Sequence, residues 1–247
     1  DIAVADEPVP PPTQRAIFAY GFAGPTVSMS NLVNSSGVVG NDVTGVGTGR
    51  YYAACANYGT DKAIIGFGNP GTGDVSLSNL ISSSGVVATD TTGVGTARDS
   101  LTATGYGVGL AIFGYGNSGS VSSLTNKVSS SGVVASDTAG VGTARQFPAA
   151  ARYGTDKAIF AFGSTNKANL VSNTGVVSAD VDGVGSSKEY LAGAGYGGDK
   201  AIFGYGNDGA NVGTTNLVSN SGVVASDVTG VGTSRAGLVA GEYSTSA

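Results

Sequence analysis

Residues 201–243 read AIFGYGNDGANVGTTNLVSNSGVVASDVTGVGTSRAGLVAGEY, and versions of this stretch fill almost everything after residue 15. The block Ala-Ile-Phe-Gly-Tyr-Gly, or a close variant, begins at Ala16, Ala63, Ala111, Ala158 and Ala201, so the copies lie 47, 48, 47 and 43 residues apart. Each copy carries a Gly-Val-Val (Gly37, Gly85, Gly132, Gly175, Gly222), then an aspartate (Asp42, Asp90, Asp137, Asp180, Asp227), then a Gly-Val-Gly (Gly45, Gly93, Gly140, Gly183, Gly230). A basic residue follows (Arg50, Arg98, Arg145, Lys188, Arg235), and eight residues beyond it stands a tyrosine (Tyr58, Tyr106, Tyr153, Tyr196, Tyr243). Agreement at so many positions in five copies is the signature of a repeat architecture.

Short runs of small and β-branched residues, broken by Gly, Ser, Asn and Asp, specify strands and turns. No apolar stripe recurs at helical spacing. One unit reads as four strands: LAGAGY at 191–196, KAIFGYG at 200–206, a strand around TNLVS at 215–219 and one around VVASD at 223–227. The stretch TGVGTSR, 229–235, then crosses to the next unit. A four-stranded unit of this length fits a propeller blade, whereas a parallel β-helix rung is much shorter.

The order of basic residue, small apolar strand, turn and apolar strand ending in Gly resembles kelch repeats over roughly residues 15–243. It departs from that pattern in replacing the paired glycines by Gly-Tyr-Gly or Ala-Phe-Gly, and in having no tryptophan. The wording TNLVSNSGVVASDVTGVGTSR followed by AIFGYGN is also similar to repeat arrays in structural proteins of tailed phages, marine and cyanophage ones included. The resemblance implies an all-β, kelch-like, five-bladed β-propeller of four-stranded antiparallel blades over 15–247. The first repeat starts at its second strand, Arg15 to Tyr20, and the chain ends in a spare first strand, Ala236 to Tyr243. The expectation is therefore closure by the C-terminal strand pairing into the N-terminal blade, which would leave no bare innermost edge. The innermost strands should be slim, and Ala53-Ala54-Cys55-Ala56, Ala149-Ala150-Ala151 and Ala192-Gly193-Ala194-Gly195 are nearly all small.

The chain has 247 residues, 42 of them glycine, which turns and crowded blades account for. A net charge of −5 argues against nucleic acid, which calls for a basic face. There is no apolar run of the length that membrane insertion requires. Residues 1–14, DIAVADEPVPPPTQ, hold three acids and four of the seven prolines and read as an extended arm or linker, a candidate tether onto a neighbouring assembly protein. The single cysteine, Cys55, reads as a small buried residue in a strand, with no histidine in the chain to act as its base.

No catalytic set emerges. A glycosidase needs two carboxylates in unlike environments, and an aspartate repeated five times gives like ones. That column reads as structural, capping the turn after it or pairing with the basic residue eight positions on. Zinc is excluded by the absence of histidine and of a cysteine pair. Asp180-Val181-Asp182-Gly183 lacks the later glutamate of a calcium loop. The Gly-Val-Gly stretches precede neither a helix nor Gly-Lys-Ser/Thr, so they hold no phosphate. No metal or cofactor is expected.

What repeats contrasts with what does not. The turns between strands three and four are near copies, whereas the loops between strands two and three differ in length and chemistry, from FAGPTVSMS to STNKA. The residues just after the repeated Arg or Lys differ as well. In a blade these two variable regions share one face, and divergent loops on a common scaffold are where recognition sits. The candidate binding residues on that face are Tyr51, Tyr52, Asp74, Asp99, Phe147, Glu189, Tyr190 and Asp208. The expectation is a non-enzymatic structural or attachment module of a virion or other extracellular assembly, in contact with partner proteins or a host surface. The alternative is a lectin-like propeller with several related carbohydrate sites.

Overall fold

The computed structural model describes residues 15–183 and 185–242; the arm 1–14, Tyr243 and the rest of the tail lie outside the described residues. Every regular element is a strand. The first sheet pairs β1 (Ala16–Phe22) with β2 (Thr26–Val33). Four three-stranded sheets follow. The second is β3 (Ala54–Tyr58), β4 (Lys62–Gly66) and β5 (Ser78–Ile81); the third is β6 (Thr102–Tyr106), β7 (Leu110–Gly114) and β8 (Thr125–Val128). The fourth is β9 (Ala149–Tyr153), β10 (Lys157–Ala161) and β11 (Ala168–Val171); the fifth is β12 (Ala192–Tyr196), β13 (Lys200–Gly204) and β14 (Thr215–Val218). All pairings are antiparallel, so the chain is an array of five small antiparallel sheets, one per sequence repeat.

The fourth strand of each unit is reduced. In place of a strand at 223–227, two isolated bridges, Val218↔Val224 and Thr215↔Val228, hold an irregular edge segment. The reason lies in a side chain. Asn216 donates from Nδ2 to Ala225 O at 3.1 Å and to Asp227 Oδ1 at 2.9 Å, taking the place of the missing ladder bonds. The same arrangement recurs at Asn79, Asn126 and Asn169.

The core lies between sheets. Phe113 of the third unit and Phe160 of the fourth are fully buried, each against the end of a strand in the unit before it. The first meets Gly66 and the second Gly114; a Cβ at either glycine would sit 2.8 Å from the ring, so the glycine is what lets the aromatic ring in. Burying an aromatic side chain of this kind is worth about 2–3 kcal/mol, and the third and fourth units each contribute one to the unit before. The slim strands do come together, β3 against β6, β6 against β9 and β9 against β12. Tyr52 of the second unit also touches Phe147 of the fourth, ring centroids 5.6 Å apart, so the array bends toward this inner side.

Of the expected pairing of 236–243 with β1, none is formed by the described residues 236–242; Tyr243 lies outside them. β1 hydrogen-bonds to β2 alone among the named strands. Residues 236–242 run instead along β12, where Gly237 N donates to Tyr190 O at 2.9 Å and Glu242 reaches Gly195. The segment covers the flank of the last slim strand, as the crossovers at Ser100 and Phe147 do in earlier units, where their backbone N–H groups bond to Tyr52 O and Ser100 O.

Candidate functional site

Three bridges tie the residue after the repeated base to the start of the variable loop: Tyr51↔Asn69, Asp99↔Asn117 and Glu189↔Asn207. The crossover and the loop between the second and third positions of each unit therefore share the face where β3, β6, β9 and β12 begin. The tight turns that follow those strands lie at the opposite end.

On the first face, the residue two positions past each of these repeated bases takes up a left-handed backbone: Tyr52 at φ 53, Ser100 at 53, Phe147 at 51 and Tyr190 at 53. Such a conformation costs a residue with a Cβ about 1–2 kcal/mol, and Gly237 occupies the same position in the last unit at no such cost. The strained column nonetheless carries aromatics, and they gather. Phe22 lies edge-on to Tyr51 at 5.8 Å, Tyr51 to Tyr52 at 4.9 Å and Tyr52 to Phe147 at 5.6 Å; Phe147 lies 4.1 Å from Tyr190. Tyr52 is 50% exposed and Tyr190 39%, so the chain of rings offers faces to solvent. Burial, with the charge of Glu189 adding to it, raises the Tyr190 phenol, which stays a neutral donor at neutral pH.

The four acids among the candidate residues flank this ledge in pairs. Asp74 accepts from Asn69 Nδ2 at 2.9 Å. Burial, and Asp74 close by, raise the Asp99 carboxyl above the usual carboxylate range. Glu189 and Asp208 line an open hollow of about 230 Å³ together with Lys188 and Asn207. Phe22 was passed over in the sequence reading because nothing in the repeat pattern marks it; its place in the ring chain depends on the long β1–β2 hairpin.

The repeated columns form a second constellation. Asp90 does not pair with Arg98, eight positions on; its partners belong to the preceding unit. It accepts from Thr48 N at 3.0 Å, Thr48 Oγ1 at 2.7 Å and, within its own unit, Asn79 Nδ2 at 2.9 Å, and Arg50 stands 4.0 Å away. Asp137 does the same with Thr96 and Arg98, Asp180 with Thr143, and Asp227 with Ser186 and Lys188. Expected to serve its own turn or its own unit's base, the aspartate instead locks one unit to the next. The fixed crossover brings the earlier unit's threonine and base alongside the later unit's edge segment. Arg50, Arg98, Arg145 and Lys188 are all buried at these joints, stacked on Tyr20, Phe67, Tyr115 and Phe162. Burial lowers the Arg98 guanidinium to about 10, against the pull of Asp137. Burial alone would raise Asp90, Asp137, Asp180 and Asp227, but the hydrogen bonds they accept outweigh it and hold each below the usual range. The asparagine of the joint was legible in the sequence, since Asn31, Asn79, Asn126, Asn169 and Asn216 recur in every unit.

Cys55 is solvent-exposed, not buried as expected. The surrounding protein desolvates it all the same, and that pushes its thiol up to about 11. Asp182 pairs with Lys167 and does not join Asp180 in a cation site. No family model matches the chain, and no curated protein shows significant similarity to it.

Proposed function

We propose that this chain is a non-enzymatic attachment module whose aromatic ledge meets a partner protein or host surface in a virion or other extracellular assembly. The observation that carries the reading is the left-handed column at Tyr52, Phe147 and Tyr190. Tyr52 and Tyr190 keep exposed rings on a backbone where glycine would be cheaper for folding, with half-buried Phe147 between them, and this supports a contact role. Rigid, amphipathic rings supply contact area at low entropic cost, which suits a protein interface. The sheets serve as kelch-like blades that present the ledge, and the phage-like wording of the repeat supports the virion setting.

A lectin-like role is the second reading, since exposed rings also stack on sugars. Against several equal sugar sites stands the column itself: Tyr52, Ser100, Phe147, Tyr190 and Gly237 are not equivalent. A photo-crosslinking phenylalanine placed at Tyr52, in particles or assemblies that contain the protein, separates the two. A cross-linked polypeptide from Tyr52 and none from Val108, exposed on the turn face, supports a protein partner. Saturable binding on a glycan array that Tyr52→Ala abolishes supports the lectin, and no cross-link anywhere contradicts the attachment reading.

A further inference from the structure

The joint between units is made four times inside the chain, and each end of the chain displays one half of it. Asp42 corresponds to Asp90, yet it accepts from Asn31 Nδ2 of its own unit, at 2.8 Å. Asn31 is only half-buried and Asp42 exposed, whereas the asparagines of the later units are fully buried. Phe18 corresponds to Phe113 and Phe160 but is 58% exposed, with no strand end against it among the described residues. At the other end, Arg235 stacks on Tyr205 at 3.8 Å and donates to Thr233 O, as the internal arginines do with their own units, yet it and Thr233 are exposed. Gly204, the counterpart of Gly66 and Gly114, faces Thr215 of its own sheet where those two face an aromatic ring of the next unit.

We propose that these halves join between two copies of this chain: the fifth unit of one copy receives the first unit of the next. In that joint Thr233 and Arg235 take Asp42 and Asn31, and Phe18 seats on Gly204. Residues 236–242 come alongside β1, whose outer edge has no strand partner among the described residues of the single chain. The pairing is of opposite charge, acid on one end and base on the other, which favours head to tail over head to head. The two surfaces are different, so the contact is heterologous and repeats from copy to copy. An unpaired strand edge beside an exposed phenylalanine is a template for such addition. Among the described residues of one chain, no hydrogen bond, bridge or ring contact joins the two halves, which is what assigns the second half to another copy.

The test is sedimentation of the full chain over a wide concentration range, with disulfide trapping. The mass is expected to rise from that of one chain to twice that value or more, and Asp42→Ala with Arg235→Ala is expected to return it to one chain with an unchanged thermal midpoint. On a Cys55→Ala background, a chain with Asp42→Cys mixed with one carrying Thr233→Cys is expected to oxidise to a dimer, which Val108→Cys in place of either does not. A single-chain mass at every concentration overturns the proposal. So does a chain carrying both cysteines that oxidises to a closed monomer, or an assembled protein in which Asp42→Cys and Thr233→Cys fail to cross-link.

Discussion

Replacing Asp137 by alanine is the most informative single perturbation of a joint. The carboxylate accepts hydrogen bonds from Thr96 N at 2.9 Å, Thr96 Oγ1 at 2.8 Å and Asn126 Nδ2 at 2.9 Å, and Arg98 lies 3.8 Å away with none of its side chain exposed. Stripping the partner from a buried charge typically costs 3–5 kcal/mol. Arg98 keeps Tyr115 O at 2.9 Å, Thr96 O at 3.1 Å and Asn126 Oδ1 at 2.6 Å, which places the expected loss at the low end, about 3 kcal/mol. Asp42→Ala removes the same residue type at the same repeat position, exposed and outside any joint among the described residues, and surface changes of that kind stay within about 0.5 kcal/mol. Urea unfolding followed by tyrosine fluorescence and far-ultraviolet circular dichroism, in dilute protein so that association does not contribute, measures both. Repeat arrays can unfold in steps, so the two probes are compared before a single free energy is assigned. Equal losses for the two variants, or a negligible loss for Asp137→Ala, would refute the argument that this column joins units.

Acid should act through the same column. The four joint aspartates titrate below the unfolded value of about 3.9, so the stability they contribute is complete above that pH and is lost as pH falls through their folded values. The urea midpoint is expected to be flat near neutrality and to fall below about pH 4, less steeply in Asp137→Asn; an identical acid limb in that variant contradicts the assignment. Gly114→Ala puts a methyl group 2.8 Å from the Phe160 ring and is expected to cost about 1–3 kcal/mol by overpacking, read as a lower thermal midpoint, while Gly71→Ala, with no atom near it but a left-handed φ of 92, tests backbone strain alone. Tyr52→Gly is expected to leave stability unchanged or raise it by about 1 kcal/mol, because the left-handed backbone no longer strains a Cβ, while weakening whatever binds the ledge. A large fall in the melt of that variant would show the ring to be core and not contact surface.

Much of the fold was legible because the chain repeats its instructions. The strands at 191–196, 200–206 and 215–219 follow from apolar runs punctuated by glycine, and the structure places β12, β13 and β14 within them. The fourth strand was misjudged because VVASD looks like a strand locally, while the group that satisfies its backbone, the Asn216 amide, belongs to another segment. The partner of each aspartate was hidden for a related reason. A repeat shows that Asp90 and Arg98 recur at fixed spacing, but not that Arg50, forty residues earlier, is the base within reach. The candidate face was legible in outline, since Tyr51, Tyr52, Phe147 and Tyr190 do meet. That they meet as a continuous row depends on the bend of the array, which no local pattern encodes. The resting place of 236–242 was misread because a spare strand says what is missing from the first sheet, but not whether it reaches that sheet in the same chain.

The most direct test of the joint is a pair of double-mutant cycles at Asp137. Combined with Thr96→Val in the preceding unit, Asp137→Ala is expected to show a coupling of about 1 kcal/mol or more, because the two side chains share a hydrogen bond of 2.8 Å. Combined with Thr143→Val, six residues later in its own unit, it is expected to be additive within about 0.5 kcal/mol. Coupling to Thr143 and additivity with Thr96 would mean that each aspartate serves its own repeat, and that the units are not held to one another in this way.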